Sequence, residues 1–141
     1  MTTDEMHQIG ADAEAVGLSL RTIRHYEEVG VVVPSGRSPG GFRLYTDADI
    51  ERLRVVKRMK PLDFTLDEIR DVLALLDALE GVADGDEDEA VASAAARLGM
   101  YASLAEERYE RMRERMAAAS EFTDTLHRAV RRARASEPRQ R

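Results

Sequence analysis

The sequence contains neither cysteine nor tryptophan, and aromatic residues make up only 5% of its 141 residues. The absence of cysteine excludes disulfide bonds, thiolate metal sites and iron–sulfur clusters. The low aromatic content argues against one large globular core. We therefore expect one compact domain plus an extension.

Long apolar runs are also missing, since no stretch approaches the roughly 20 residues that a membrane-spanning helix needs. The N-terminal residues 1–8 are acidic and polar, unlike a signal peptide. The sequence therefore predicts a soluble, cytoplasmic protein without a membrane partner.

The residue sets that enzymes and metal sites need are not present in the sequence. There is no Ser/His/Asp or Cys/His set, no glycine-rich phosphate loop and no clustered pair of acids. His7, His25 and His127 are far apart, whereas metal ligands cluster. We expect no enzyme activity, no cofactor and no metal.

The net charge of −6 conceals a basic segment. Residues 19–60 contain nine lysines and arginines and five acids, which gives a local charge of +4. Charges beyond about 8–10 Å are screened at cellular salt. A polyanion such as DNA therefore responds to this local patch rather than to the net charge.

Residues 9–29 predict two short helices joined by a turn. Ile9, Ala13 and Val16 recur at helical spacing, and Gly17 suits a tight turn. Ser19 is a suitable N-cap for a second helix that ends near residue 29. We expect Leu20 and Ile23 to face inward. The opposite, exposed face carries Arg21, Arg24, His25 and Glu28.

A hairpin is predicted next. Residues 31–33 are a β-branched run, residues 34–41 are rich in glycine and proline, and residues 42–45 alternate like a strand. Arg37 is expected at the tip and Arg43 on the return strand. A helix beside such a ribbon fits the major groove of DNA and the adjoining backbone.

Two more helices complete the predicted domain, which spans residues 1–79. Thr46 opens one helix, which Pro61 ends, and its buried side is Ile50, Leu53 and Val56. A capping box at Thr65 opens the other, which runs to about residue 79. Its predicted apolar stripe is Leu66, Ile69, Leu73 and Leu76. Two interpretations stay open for Lys57, Arg58 and Lys60: complement to the helix dipole, or phosphate contact.

Residues 80–89 form an acidic linker, and residues 90–135 predict one long dimerisation helix with its tail. Apolar and small residues recur there with 4-3-4-3 spacing over five heptads, which predicts a coiled coil with a second copy of the chain. We call this set the seam: Leu98, Ala102, Ala105, Tyr109, Met112, Met116, Ala119, Thr123, Leu126, Val130 and Ala133. Its many alanine, methionine and tyrosine residues favour either close antiparallel packing or room for a bound molecule over a leucine zipper.

The chain resembles the MerR family of bacterial transcription regulators over residues 7–79. The matching segments are residues 9–10, GLSLRTIRHYE at 17–27, Gly30, Pro34, GFRLY at 41–45, DIERL at 49–53 and FTLDEI at 64–69. The resemblance implies a mainly α fold, a winged helix-turn-helix domain followed by a long dimerisation helix in an antiparallel coiled coil. It also implies a homodimer on a pseudo-palindromic promoter site, where distortion of the spacer lets RNA polymerase engage both promoter elements.

The resemblance also implies which residues contact double-stranded DNA. Those carried over to the recognition helix are Ser19, Arg21, Thr22, Arg24, His25 and Tyr26; those carried over to the wing are Arg37, Arg43 and Tyr45, and Lys57 is a phosphate contact. The sequence departs from the family pattern at His25, at Asp12 and at residues 61–63.

No effector is identified by the sequence. A small organic ligand, a protein partner and no effector at all stay open. Tyr101, Tyr109 and Phe122 fit either an apolar ligand site or packing in the seam, and the arginine-rich residues 128–141 fit either a solvated end or an extra DNA or partner contact. The alternative function is an architectural DNA-bending or excision-type protein, which rarely carries so long a helix.

Overall fold

A computed structural model describes residues 7–8, 16–82 and 88–138. The chain divides into two compact units, Met1–Tyr101 and Ala102–Arg141. The helices are α1 (Leu20–Glu28), α2 (Asp47–Met59), a 3-10 turn (Lys60–Leu62), α3 (Leu66–Leu79) and α4 (Glu89–Ala135), and the strands are β1 (His7–Gln8), β2 (Gly36–Arg37) and β3 (Arg43–Tyr45). This confirms the mainly helical fold with a small sheet and a long final helix. Among the described residues no helix is both long and apolar enough to cross a membrane.

The three predicted helix starts are confirmed, because each depends on local hydrogen bonds. The side chain of Ser19 accepts from the backbone N–H of Thr22 at 3.1 Å. Thr46 and Thr65 each form a full capping box, with Asp49 and Glu68 as the reciprocal partners. These bonds satisfy backbone N–H groups that a first helical turn leaves without a partner.

The sheet is antiparallel with strand order β1-β3-β2, and the β2–β3 hairpin is the wing. The expectation that residues 31–33 contribute a strand is wrong. The backbone N–H groups of Val31 and Val32 instead donate to the carbonyl oxygen of Tyr26, at 2.8 and 3.4 Å, and so end α1. Arg37 lies within β2, opposite Arg43, rather than at the tip.

The core of the first unit is apolar. Its fully buried side chains include Ile23, Leu53, Val56 and Ile69. Two residues expected to face inward, Leu20 and Leu76, are each 41% exposed. The buried face of α3 instead includes Val72 and Leu75. Asp71, next to Val72, forms a hydrogen bond with α4.

The first turns of α4 pack on α3 within the first unit. The Tyr101 hydroxyl donates to Oδ2 of Asp71 at 2.6 Å, and Arg97 pairs with the same carboxylate. The Tyr101 ring lies 6.2 Å from that of Phe64, and Ala94 is buried. The compact unit that contains α3 therefore includes the start of α4 as far as Tyr101.

Two sequence predictions fall largely outside the described residues. Of the expected first helix, only Val16 is described, and its side chain is buried. Of the acidic linker, residues 83–87 lie outside the described ranges.

Candidate nucleic-acid interface

The recognition helix α1 follows a turn that only glycine fits well. Gly17 has φ +77°, a conformation that costs an L-residue with a side chain about 1–2 kcal/mol. A Cβ added there would collide with Nζ of Lys57. That ammonium donates a hydrogen bond to the carbonyl oxygen of Val16 at 2.7 Å. Lys57 therefore supports the turn from α2 with one of the three N–H groups of its ammonium.

The exposed face of α1 is as predicted. Arg21, Arg24, His25 and Glu28 are exposed, while Ile23 on the opposite face is fully buried. Within the described part of the chain, neither Arg21 nor Arg24 forms an ion pair or a side-chain hydrogen bond. Their guanidinium groups keep all their donors for an external acceptor.

The N-terminal end of α1 carries two hydroxyl groups. The Ser19 and Thr22 side-chain oxygens lie 2.8 Å apart, and Ser19 is exposed. Hydroxyls at a helix N-terminus suit contact with a phosphate oxygen.

The wing is joined to α1 by ion pairs. Glu27 accepts from Arg37 at 3.2 Å and also from Nε of Arg43. The Arg37 side chain is 52% exposed and that of Arg43 27% exposed. Both predicted wing arginines therefore lie beside the recognition helix with part of each side chain exposed.

Two residues predicted to contact DNA are placed in the core instead. Tyr26 and Tyr45 are fully buried, and neither hydroxyl has a hydrogen-bond partner among the described residues. Burial raises the pKa of Tyr45, and the negative charge of the Glu27 carboxylate raises it further. Tyr26 follows Ile23 at i+3 on the inner face of α1, a spacing that indicates burial. Their side chains support the surface rather than form it.

Further basic residues lie at the end of α2. Arg54, Lys57 and Arg58 line a shallow depression together with Val16 and Pro61. Lys60 places its ammonium 5.7 Å from the centre of the Tyr26 ring, a cation–π contact. Arg58 has no described partner, and Lys57 and Lys60 have one each, so phosphate contact by these three residues stays a prediction.

Sequence reasoning missed two residues of this surface. Phe42 is 62% exposed and lies over Gly40 at the wing tip. Two of its ring carbons are 3.1 and 3.3 Å from the point where a Cβ on Gly40 would stand. In the sequence Glu27 contributes only to the local charge, because its two arginine partners lie 10 and 16 residues away. The alternating strand pattern between the two wing arginines could have indicated that Phe42 is exposed. No local signal indicates that Glu27 bonds the wing.

The second unit presents an apolar face of α4. The large seam residues there are 41–73% exposed: Tyr109, Met112, Met116, Leu126 and Val130. Phe122 is 63% exposed and lies one position off the seam. A helix that keeps so many large apolar residues in water needs a partner surface.

Among the described residues, no group of three or more histidine, aspartate or glutamate side chains could hold a metal ion.

Comparison with known proteins places these features in one family. The family model for MerR HTH family regulatory proteins matches residues 8–76, and the model for MerR, DNA binding, matches residues 50–129. The HTH-type transcriptional activator TipA of Streptomyces coelicolor is 44% identical over 71 residues, which is 50% of this chain and 27% of TipA. The mercuric resistance operon regulatory protein of Bacillus cereus is 40% identical over 80 residues, which is 57% of this chain and 55% of that protein.

A solved structure shares the fold. The crystal structure of HiNmlR, a MerR family regulator lacking the sensor domain, bound to promoter DNA, superposes with a TM-score of 0.59 at 22% identity, over 85% of this chain and 80% of that one. The matches to the curated relatives span from about a quarter to about half of their lengths. The matches cover the winged helix-turn-helix and most of α4, and the chain belongs to the MerR family of helix-turn-helix regulatory proteins.

Proposed function

We propose that this protein is a DNA-binding transcription regulator that acts as a homodimer on a pseudo-palindromic promoter site. The observation that carries the proposal is the exposed face of α1, whose Arg21 and Arg24 have no partner among the described residues. Arginine is the side chain that most often reads guanine in the major groove, through two parallel hydrogen bonds. The wing arginines lie beside the same helix and suit the adjoining phosphates.

The dimer is supported by the exposed seam of α4. That helix has 47 residues and is about 70 Å long. Two recognition helices must meet half-sites one helical turn, about 34 Å, or a multiple of it apart. An antiparallel pair of such helices can set that distance, and it buries the apolar residues that a single copy leaves in water.

Promoter distortion is the mechanism we infer for the regulator. A dimer whose recognition helices are held by one rigid coiled coil can bend or untwist the DNA between its half-sites, and added phosphate contacts offset that cost. RNA polymerase is then the second partner, because a changed spacer alters its fit to the −35 and −10 elements. TipA, a relative over half of this chain, is itself a transcriptional activator.

Footprinting the full-length protein on the DNA upstream of its own gene tests the proposal. We expect one protected region with two-fold symmetry between the −35 and −10 elements, and hyper-reactive bases at its centre where the duplex is distorted. Protection that overlaps either element without central reactivity indicates a repressor. A distorted footprint remote from any promoter indicates the architectural alternative. The absence of sequence-specific protection contradicts the proposal.

A further inference from the structure

Glu27 is the only described residue that bonds both arginines of the wing. Its Oε1 accepts from Nη2 of Arg37 at 3.2 Å, and its Oε2 accepts from Nε of Arg43. The Glu27 side chain is only 19% exposed. Each carboxylate oxygen therefore holds one arginine, and the end of the recognition helix is tied to both strands of the wing.

The wing needs such a carboxylate. Arg37 and Arg43 lie directly opposite each other in the antiparallel β2–β3 pair. Like charges in that position destabilise a hairpin. A carboxylate bonded to both offsets the repulsion and fixes both side chains. Arg37 also donates from Nη1 to the carbonyl oxygen of Gly41 at 3.2 Å, so the same arrangement fixes the wing tip.

The ion pairs leave donors free. Arg43 uses only Nε, and no described residue takes its two terminal nitrogens. Arg37 uses one N–H from each terminal nitrogen, and a guanidinium has five N–H groups. A phosphate can therefore bind either arginine without displacing Glu27.

We propose that Glu27 is a positioning residue for DNA binding, which holds the wing against the recognition helix and aims the free donors of Arg37 and Arg43 at the phosphate backbone. The proposal rests on the proposed DNA-binding function. The proposed role is opposite to the direct electrostatic effect of Glu27, because a carboxylate close to DNA repels phosphates. If Glu27 acted only through its charge, neutralising it would strengthen binding to every duplex.

The test compares full-length variants on the footprinted operator and on a random duplex over a range of salt concentrations. Glu27→Gln keeps the size but loses the charge, and we expect about tenfold weaker operator binding. Glu80→Gln is the matched control, since Glu80 is an exposed glutamate at the end of α3, outside α1 and the wing, and without a described partner. Its loss of charge should leave operator binding equal or slightly stronger. Equal behaviour of the two variants contradicts the proposal.

Glu27→Asp separates position from charge. The variant keeps the carboxylate but shortens its reach by one methylene group, so positioning predicts weaker operator binding and a lower salt slope. A charge effect predicts unchanged binding. In an Arg37→Ala/Arg43→Ala background, adding Glu27→Gln should cost nothing further, since its partners are gone; an equal additional loss in that background overturns the proposal.

Thermal unfolding establishes that each variant is folded, and Glu27→Asp remains informative should Glu27→Gln fail to fold. The two proposals fail differently. A wild-type protein without site-specific binding contradicts the regulator function. If the wild type binds its site and Glu27→Asp binds equally well at every salt concentration, only the positioning role is contradicted.

Discussion

Lys57 donates a hydrogen bond from Nζ to the carbonyl oxygen of Val16 at 2.7 Å, across 41 residues of sequence. The same ammonium lies beside Gly17, whose φ of +77° makes the turn before the recognition helix. The basic residue that the sequence suggested as a phosphate contact thus connects α2 to the turn that orients α1.

Lys57→Met is therefore expected to act on stability. The substitution keeps an unbranched chain but removes the donor, and a partly exposed bond of this kind contributes about 1 kcal/mol. The melting temperature should fall by a few degrees while the salt dependence of DNA binding keeps its slope. Arg58→Met, next in sequence and exposed, is the control for stability. An unchanged melting temperature with a salt slope lowered by about one unit would instead support a phosphate contact by Lys57.

Arg24→Ala is expected to weaken operator binding at least about tenfold, since one well-placed bidentate contact to a base accounts for about 1–3 kcal/mol. The loss should be much smaller on random DNA, and the dimer should stay intact in sedimentation. Arg111→Ala is the control, because Arg111 is an exposed arginine of α4 that pairs with Glu107. An unchanged gel shift for Arg24→Ala removes that residue from the interface.

The parts of the fold that could be predicted from sequence are those with local causes. The starts of α1, α2 and α3 follow from Ser19, Thr46 and Thr65, whose side chains bond backbone only three residues away. The long helix α4 begins at Glu89 and ends at Ala135, close to the expected residues 90–135, because no proline interrupts it.

The parts that failed depend on contacts between distant residues. Tyr26 and Tyr45, which the family resemblance implies as DNA contacts, are buried; the spacing of Tyr26 from Ile23 does indicate burial, whereas no local pattern reports which way the ring of Tyr45 turns. The partners of Lys57 and Glu27 lie 41, 10 and 16 residues away, so no spacing pattern reports them. Leu76 was expected to be buried, and periodicity alone could not identify that α3 also packs on the start of α4 through Asp71.

Tyr101→Phe is expected to destabilise the first unit in a pH-dependent way. The Tyr101 hydroxyl, followed by Arg97, lowers the pKa of Asp71 below its ordinary 3.8, and the same bond raises the pKa of Tyr101 above 10.0. Stabilisation by a lowered carboxyl pKa is present above pH 3.8 and is lost as the pH falls through the lowered value. Stabilisation by a raised phenol pKa is present below pH 10.0 and is lost as the pH rises through the raised value.

The melting temperature of Tyr101→Phe should thus lie a few degrees below that of the wild type between about pH 4 and pH 10, and the difference should shrink outside that range. A difference that is constant from about pH 2 to about pH 11 would mean that the hydroxyl acts through packing and not through Asp71.

Substituting Met112 and Met116 with glutamate is expected to break the dimer. Both side chains lie in the seam and are 41% and 73% exposed in the single chain, so the apolar area they offer is available to a second copy. Burying a methionine contributes about 1.5–3 kcal/mol, and carboxylates in its place would be desolvated without partners. Dimer affinity should fall on the order of a hundredfold or more, since each 1.4 kcal/mol is about tenfold.

The control for this pair is Ala117→Glu with Ala118→Glu, which adds the same two charges directly after Met116 in α4, at exposed positions off the seam. That variant should sediment as a dimer and bind the operator like the wild type. The Met112→Glu/Met116→Glu variant should sediment as a monomer and bind a half-site about as well as the full operator, because the gain from two linked recognition helices is lost. If it stays a tight dimer, the second copy does not pack on the seam, and the surface that joins the two chains lies in the winged helix-turn-helix instead.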